Sequence, residues 1–151
     1  MNKEIRFSAQ KVLKKETNRF LKEIDRFMEE GGVGELLASE KNAKQRILGK
    51  SQFKKLMDAA GEASCIEELL LFLSYQKSKK HGWETPCSDG EEIAKKLADS
   101  FIRIQDEIYK MIECETGAEN IEADDERVLR LMIAEKYLGY LYWKASAVSK
   151  S

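Results

Sequence analysis

The stretch Ser64-Cys65-Ile66-Glu67-Glu68-Leu69-Leu70-Leu71-Phe72-Leu73-Ser74-Tyr75 sets the first limit on how this chain folds. Between Ile66 and Leu73 apolar side chains cover nearly the whole circumference of a helix, a pattern that calls for burial on several sides. The run is far too short for a bilayer, which takes about 20 apolar residues. Ser64 and Glu67 have the S-x-x-E spacing of a capping box, so the expected helix starts at Ser64 and ends near Lys80. Its expected place is the centre of a helical bundle.

The remaining segments read as further helices. Ile5, Ala9, Val12, Leu13, Phe20, Leu21, Ile24, Phe27 and Met28 recur at steps of three and four from Asn2 to Glu30, and Gly31-Gly32 stops them. A weaker pattern spans Val33 to Ile47 and ends at Gly49. Ser51 is the expected cap of a short helix with Phe53, Leu56, Met57 and Ala60 inward. The segment from His81 to Cys87 holds the single proline and reads as a loop. Ser88-Asp89-Gly90-Glu91 repeats the capping-box spacing before Ile93, Ala94, Leu97, Phe101, Ile104, Ile108, Met111 and Ile112, up to Thr116-Gly117. Asp124-Asp125-Glu126 places acids where a helix dipole favours them, and Val128 to Trp143 is apolar on all sides. No stretch alternates with period two. The expected fold is all-α, a single-domain bundle of five to six helices over residues 1–151.

With 26 basic and 27 acidic residues, total charge excludes nothing about partners, and only local clustering is informative. Cys65, Cys87 and Cys114 lack C-x-x-C spacing, and no apolar signal core follows Met1-Asn2-Lys3-Glu4-Ile5-Arg6. A cytoplasmic chain with reduced thiols and no membrane segment is expected. There is no G-x-x-x-x-G-K-[ST] or G-x-G-x-x-G loop. His81 is the sole histidine, which removes metal sites built on several histidines, and its spacing to Cys87 and Cys114 matches no zinc pattern. Cys65 reads as an inert thiol in an apolar helix. No catalytic residue, cofactor or metal is expected, and the chain reads as a binding module, not an enzyme.

Charge is sorted along the chain. Lys41, Lys44, Arg46, Lys50, Lys54 and Lys55 occur with no acid between Lys41 and Met57, and Lys77, Lys79, Lys80 and His81 follow the apolar helix. Glu113, Glu115, Glu119, Glu122, Asp124, Asp125 and Glu126 form the opposite segment without a cation. The cations suit a phosphate backbone, whose binding releases counterions and weakens with salt. The alternative is a solvated face, with Lys77 to Lys80 placed at a helix C-terminus. The acids read as a water-loving connector, or as a face toward a neighbouring basic subunit. Tyr137, Tyr140, Tyr142 and Trp143 read as core, as an interface, or in third place as stacking rings.

Phe53-Lys54-Lys55-Leu56-Met57, Ile66-x-x-Leu69-Leu70-Leu71-Phe72-Leu73 with Lys77, and Leu138-Gly139-Tyr140-Leu141-Tyr142-Trp143-Lys144-Ala145 together resemble the small helical subunit of type III CRISPR–Cas effector complexes. The nearest variety is the Cmr-type (III-B) subunit, and Ser51-Gln52-Phe53-Lys54 is similar to a segment of the Csm-type (III-A) one. The pattern covers about half the chain and departs from the family at Cys65, where a glycine is usual, and by one residue between Leu141 and Lys144.

This resemblance implies a non-catalytic subunit in antiviral defence, associated with other effector-complex subunits and with itself along a filament. It would contact the backbone of guide and target RNA while base pairing reads the sequence. The implied RNA-contacting residues are Lys41, Lys44, Arg46, Lys50, Lys54, Lys55, Lys77, Lys79 and Lys80, with Lys144 a further candidate. The competing expectation is a helical protein–protein adaptor or oligomerisation module without nucleic-acid contact.

Overall fold

The computed structural model describes residues 1–149. Its helices are α1 (Lys3–Lys15), α2 (Thr17–Glu29), α3 (Val33–Ala38), α4 (Glu40–Gln45), α5 (Lys50–Glu62), α6 (Ile66–Ser78), α7 (Ile93–Thr116) and α8 (Ala123–Val148). Short 3-10 turns occupy Glu30–Gly32 and Ala118–Asn120. Among the described residues there is no strand, only an isolated antiparallel bridge between Pro86 and Glu92. No helix among them is long and apolar enough to cross a membrane.

The all-α architecture is the expected one, but its axis lies elsewhere. Helices α7 and α8 are the longest, with 24 and 26 residues, and α8 packs on α5, α7, α2, α3, α6 and α1. Ile93, Leu97, Phe101, Ile104, Ile108 and Ile112 of α7 are buried, each three or four residues from the next. Leu129, Ile133, Tyr137, Leu138 and Leu141 of α8 meet the same core. Each such aliphatic side chain contributes about 1.5–3 kcal/mol on leaving water.

Helix α6, expected at the centre, lies at the side. It buries Leu69, Leu73 and Gln76, while Leu71 is 70% exposed and Tyr75 52%. Hydropathy alone could not distinguish a central helix from a peripheral one with an uncovered apolar face. Its start also differs: Ile66 is the first helical residue, Cys65 is the N-cap, and the Ser64 amide donates to Glu68 Oε2 at 3.3 Å instead of to Glu67.

Two of the expected helices are broken. The first divides at Glu16, where Thr17 Oγ1 donates back to the Lys14 carbonyl at 2.9 Å, a side-chain bond that competes with the helical ladder. The second divides at Ser39, whose hydroxyl accepts the Asn42 amide at 3.0 Å and opens α4 as a new helix. Two breaks explain why there are eight segments instead of six. Ser51 does not cap α5: Gly49 holds that position, and its amide donates to Gln52 Oε1 at 2.8 Å.

Ser88-Asp89-Gly90-Glu91 is not a helix start either. The Gly90 amide donates to the Cys87 carbonyl, Cys87 to Glu91 and Ile93 to Thr85, which builds a miniature hairpin ahead of α7. Lys96 clasps it through Asp89 and, at 3.6 Å, Glu91. The Lys96 hydrogen bond holds the Asp89 carboxyl below its usual value, and the Lys11 hydrogen bond does the same for Glu115. A carboxylate depressed in this way stabilises the fold above its unfolded pKa and loses that contribution as pH falls through the folded one. The melting temperature is therefore expected to fall below about pH 4. Asp89→Asn should flatten part of that acid limb in a pH-resolved thermal denaturation.

Candidate nucleic-acid interface

The chain between α4 and α5 is short and tightly specified. Arg46 takes a left-handed backbone (φ 52°) that ends α4. The buried Asn42 carboxamide then grips the turn, accepting the Leu48 amide at 2.8 Å and donating to the Leu48 carbonyl at 2.6 Å. Leu48 is fully buried beneath it. Arg46 and Lys50 are thereby held on the walls of a cleft of about 420 Å³, which Ser51, Gln52, Ser146 and Ser149 also line. Lys50 and Ser51 open α5, so their amides have no acceptor within the helix. A helix start of this kind favours anions.

A second basic segment reaches the same place. Gly82 (φ +103°) lies against the 46–49 turn so closely that a Cβ there would fall 2.0 Å from the Ile47 carbonyl oxygen. Trp83, fully buried, packs edge-on against Phe53 with ring centres 5.0 Å apart. These contacts bring the segment that follows α6 against the turn between α4 and α5. The Lys79 ammonium also stands over the Tyr75 ring, 5.2 Å from its centre.

The expected contact residues fall into two groups. Lys41, Lys44, Arg46, Lys50, Lys54, Lys79 and Lys80 are exposed, and among the described residues none of them forms an ion pair. Lys50 and Lys54 are one helical turn apart and share a face. Three others are engaged or turned away. Lys77 pairs with Glu92 at 3.1 Å and Lys144 with Asp25 at 3.2 Å. Lys55 lines a different groove beside Asp58, Glu62 and Glu68.

The acids lie at the other end. Arg127 Nη1 donates to the Ser64 carbonyl at 3.0 Å, so α6 and α8 start side by side, while Ser146 lines the basic cleft near the end of α8. From Glu122 to Ser146 the helix covers about 36 Å at a rise of about 1.5 Å per residue. The acidic segment is built as the ends of α7 and α8 around the 118–120 turn, not as a loose connector. Thr116 Oγ1 donates to the Ile112 carbonyl, Asn120 to the Thr116 carbonyl, and Glu115 pairs with Lys11 at 2.9 Å.

The thiols are dispersed. Cys87 is buried, and burial pushes its thiol up; Cys65 is half-buried at a helix start and not inside an apolar helix, and Cys114 is exposed. Helix α7 separates Cys87 from Cys114, which rules out the pair as ligands of one ion, and His81 Nδ1 lies 2.8 Å from Gln76 Oε1. Asn42, Gln52 and Gly82, which shape the basic end, carry no charge and gave no signal to a charge-based reading. The glycine directly after Lys80-His81 was the one available clue. No family model, curated protein or solved structure matches this chain.

Proposed function

We propose that this protein is a non-catalytic RNA-binding subunit that holds a sugar–phosphate backbone against the basic end of its bundle. The observation that carries this reading is the convergence at Gly82, which joins two cation segments more than 20 residues apart in sequence. Among the described residues Arg46, Lys50, Lys54, Lys79 and Lys80 have no carboxylate partner, which leaves their charge available to phosphates. Contacts of this type position a strand without reading its bases. Such behaviour suits a subunit of a type III-B CRISPR RNA-guided effector complex in antiviral defence, as the motif resemblance implies, where base pairing supplies the sequence.

Filter binding of a mixed-sequence RNA across a salt series tests the proposal. Log affinity should fall linearly with log salt, with a slope of about −0.7 per phosphate contacted on a single strand. The triple variant Arg46→Glu, Lys50→Glu, Lys54→Glu should weaken binding for every sequence tried and reduce the slope by about 2. Lys77→Gln and Lys144→Gln, whose ammonium groups are already paired, should change it little. Equal RNA retention by the wild type and the triple variant would favour the protein–protein adaptor instead.

A further inference from the structure

Among the described residues three buried side-chain atoms lack a hydrogen-bond partner: Trp83 Nε1, Gln105 Oε1 and Ser146 Oγ. Trp83 and Gln105 lie in the core, whereas Ser146 lines the cleft of about 420 Å³ shared with Arg46 and Lys50. A serine on a helix commonly bonds back to a carbonyl of its own ladder, as Ser149 does to Ala145 at 2.6 Å. Ser146 forms no such bond, so its hydroxyl is a spare donor in the wall of a basic cleft. A buried hydroxyl is costly to leave unpaired, and rotation about one bond turns it toward an acceptor that enters.

The opposite wall supplies further donors. Helix α5 spans 13 residues, and Gln52 Oε1 takes the Gly49 amide at its start. The Lys50 and Ser51 amides follow it without an acceptor in the helix. Arg46 adds a guanidinium fork and Lys50 an ammonium, and among the described residues no carboxylate lines the cleft to neutralise them. Together these donors exceed what a phosphate within a strand accepts. A bridging phosphodiester has two free oxygens and a single charge, whereas a terminal phosphate has three acceptor oxygens and a charge of about −1.5 to −2 at pH 7.

We propose that the cleft between the start of α5 and the end of α8 is a binding site for a phosphate monoester, carried by a strand end or by a free mononucleotide. The dianion sits over the first turn of α5, where the Lys50 and Ser51 amides and the helix dipole favour it. Arg46 holds two of its oxygens in a forked pair, and the Ser146 hydroxyl turns to the third. The cleft has the size of a small-molecule site, which is about 300–1,000 Å³. This inference rests on the reading of the basic end as a phosphate surface and narrows it at Arg46 and Lys50 to one discrete anion. Lys54, Lys79 and Lys80 are not part of the cleft wall and keep the backbone role.

Two titrations of the full chain test it. In calorimetry, adenosine 5′-monophosphate should bind one per chain and be displaced by inorganic phosphate, while adenosine should not bind. In fluorescence anisotropy, a short mixed-sequence RNA with a 5′- or 3′-terminal phosphate should bind about tenfold more tightly than the same strand with hydroxyl ends. A gain on RNA without nucleotide binding assigns the site to strand ends, and the reverse result assigns it to free monoesters. Ser146→Ala should abolish most of either effect, with an unchanged melting temperature and unchanged binding of the hydroxyl-ended strand. Adenosine binding as tightly as its monophosphate, a Ser146→Ala protein that keeps the full effect, or no response to a monoester in both titrations would each overturn the proposal. In the last case, salt-dependent binding of the hydroxyl-ended RNA would leave the backbone reading standing. Nucleotide binding without any RNA binding would uphold the cleft and remove the backbone reading.

Discussion

Gly82→Ala is expected to lower folding stability by about 3–5 kcal/mol, the sum of a strained left-handed backbone and an overpacked contact. The residue sits at φ +103°, and an added Cβ would fall 2.0 Å from the Ile47 carbonyl oxygen, 2.9 Å from its carbon and 3.0 Å from Leu48 Cβ. A backbone carbonyl cannot rotate aside as a side-chain tip would, so the 46–49 turn or the end of α6 must move. For a chain of this size the melting temperature should drop by about 10 °C. Trp83 reports the local event: it is fully buried against Phe53, and its emission should shift to the red, while Trp143, 66% exposed, supplies a constant background. If the variant still folds at low temperature, its RNA affinity should fall although no cation has been changed. Unchanged stability and unshifted Trp83 emission would show that α6 does not close on the turn.

The second large effect lies in the polar knot between α2, α7 and α8. Glu23 is 8% exposed, an unusual position for a carboxylate, and its oxygens are fully engaged. Ser100 Oγ donates to Oε2 at 2.8 Å, and Arg103 approaches the carboxylate through Nε at 3.3 Å and Nη2 at 3.1 Å. The Ser100 hydroxyl is also 2.7 Å from the Tyr137 hydroxyl. Burial raises the Tyr137 hydroxyl far above the usual tyrosine range, and the Glu23 hydrogen bond strengthens the charge on Arg103.

Removing one member of such a group leaves the others desolvated and unpaired. Glu23→Ala should therefore cost about 2–4 kcal/mol, somewhat less than a fully buried pair because Arg103 reaches water. Ser100→Ala should cost about 1–2 kcal/mol, and the double variant should cost less than the sum because the groups act together. Urea denaturation reads this as a lower midpoint at constant slope. Additive losses would mean that Glu23 and Ser100 are independent.

The apolar face of α7 and its stop at Thr116-Gly117 were legible residue by residue, because one stripe at steps of three and four has a single way to be buried. The capping motifs were misleading. Ser64-x-x-Glu67 and Ser88-x-x-Glu91 both have the spacing of a helix start, yet Glu68 takes the Ser64 amide and the second motif folds as a hairpin turn. A short-range pattern states which bonds are available, and neighbouring segments decide which ones form. The same limit applied to α6, whose all-round hydropathy allowed a central helix or a side helix with Leu71 and Tyr75 uncovered.

For the candidate interface, the chain order of the cations was plain, whereas their partners were not. Lys77 and Lys144 look no different from Lys79 and Lys54 in sequence, and it is Glu92, from the hairpin ahead of α7, and Asp25, from α2, that occupy the first two. The sequence by itself determined an all-helical chain, the inward stripes of its long helices and the separation of basic from acidic segments. Those properties depend on residue spacing within a few turns. The tertiary structure alone decided that α8 would be the axis and that Gly82 would close the end of α6 onto the turn before α5. It also set about 36 Å of helix between the two charged ends, because contacts between distant segments are chosen by shape and steric fit that no local pattern records.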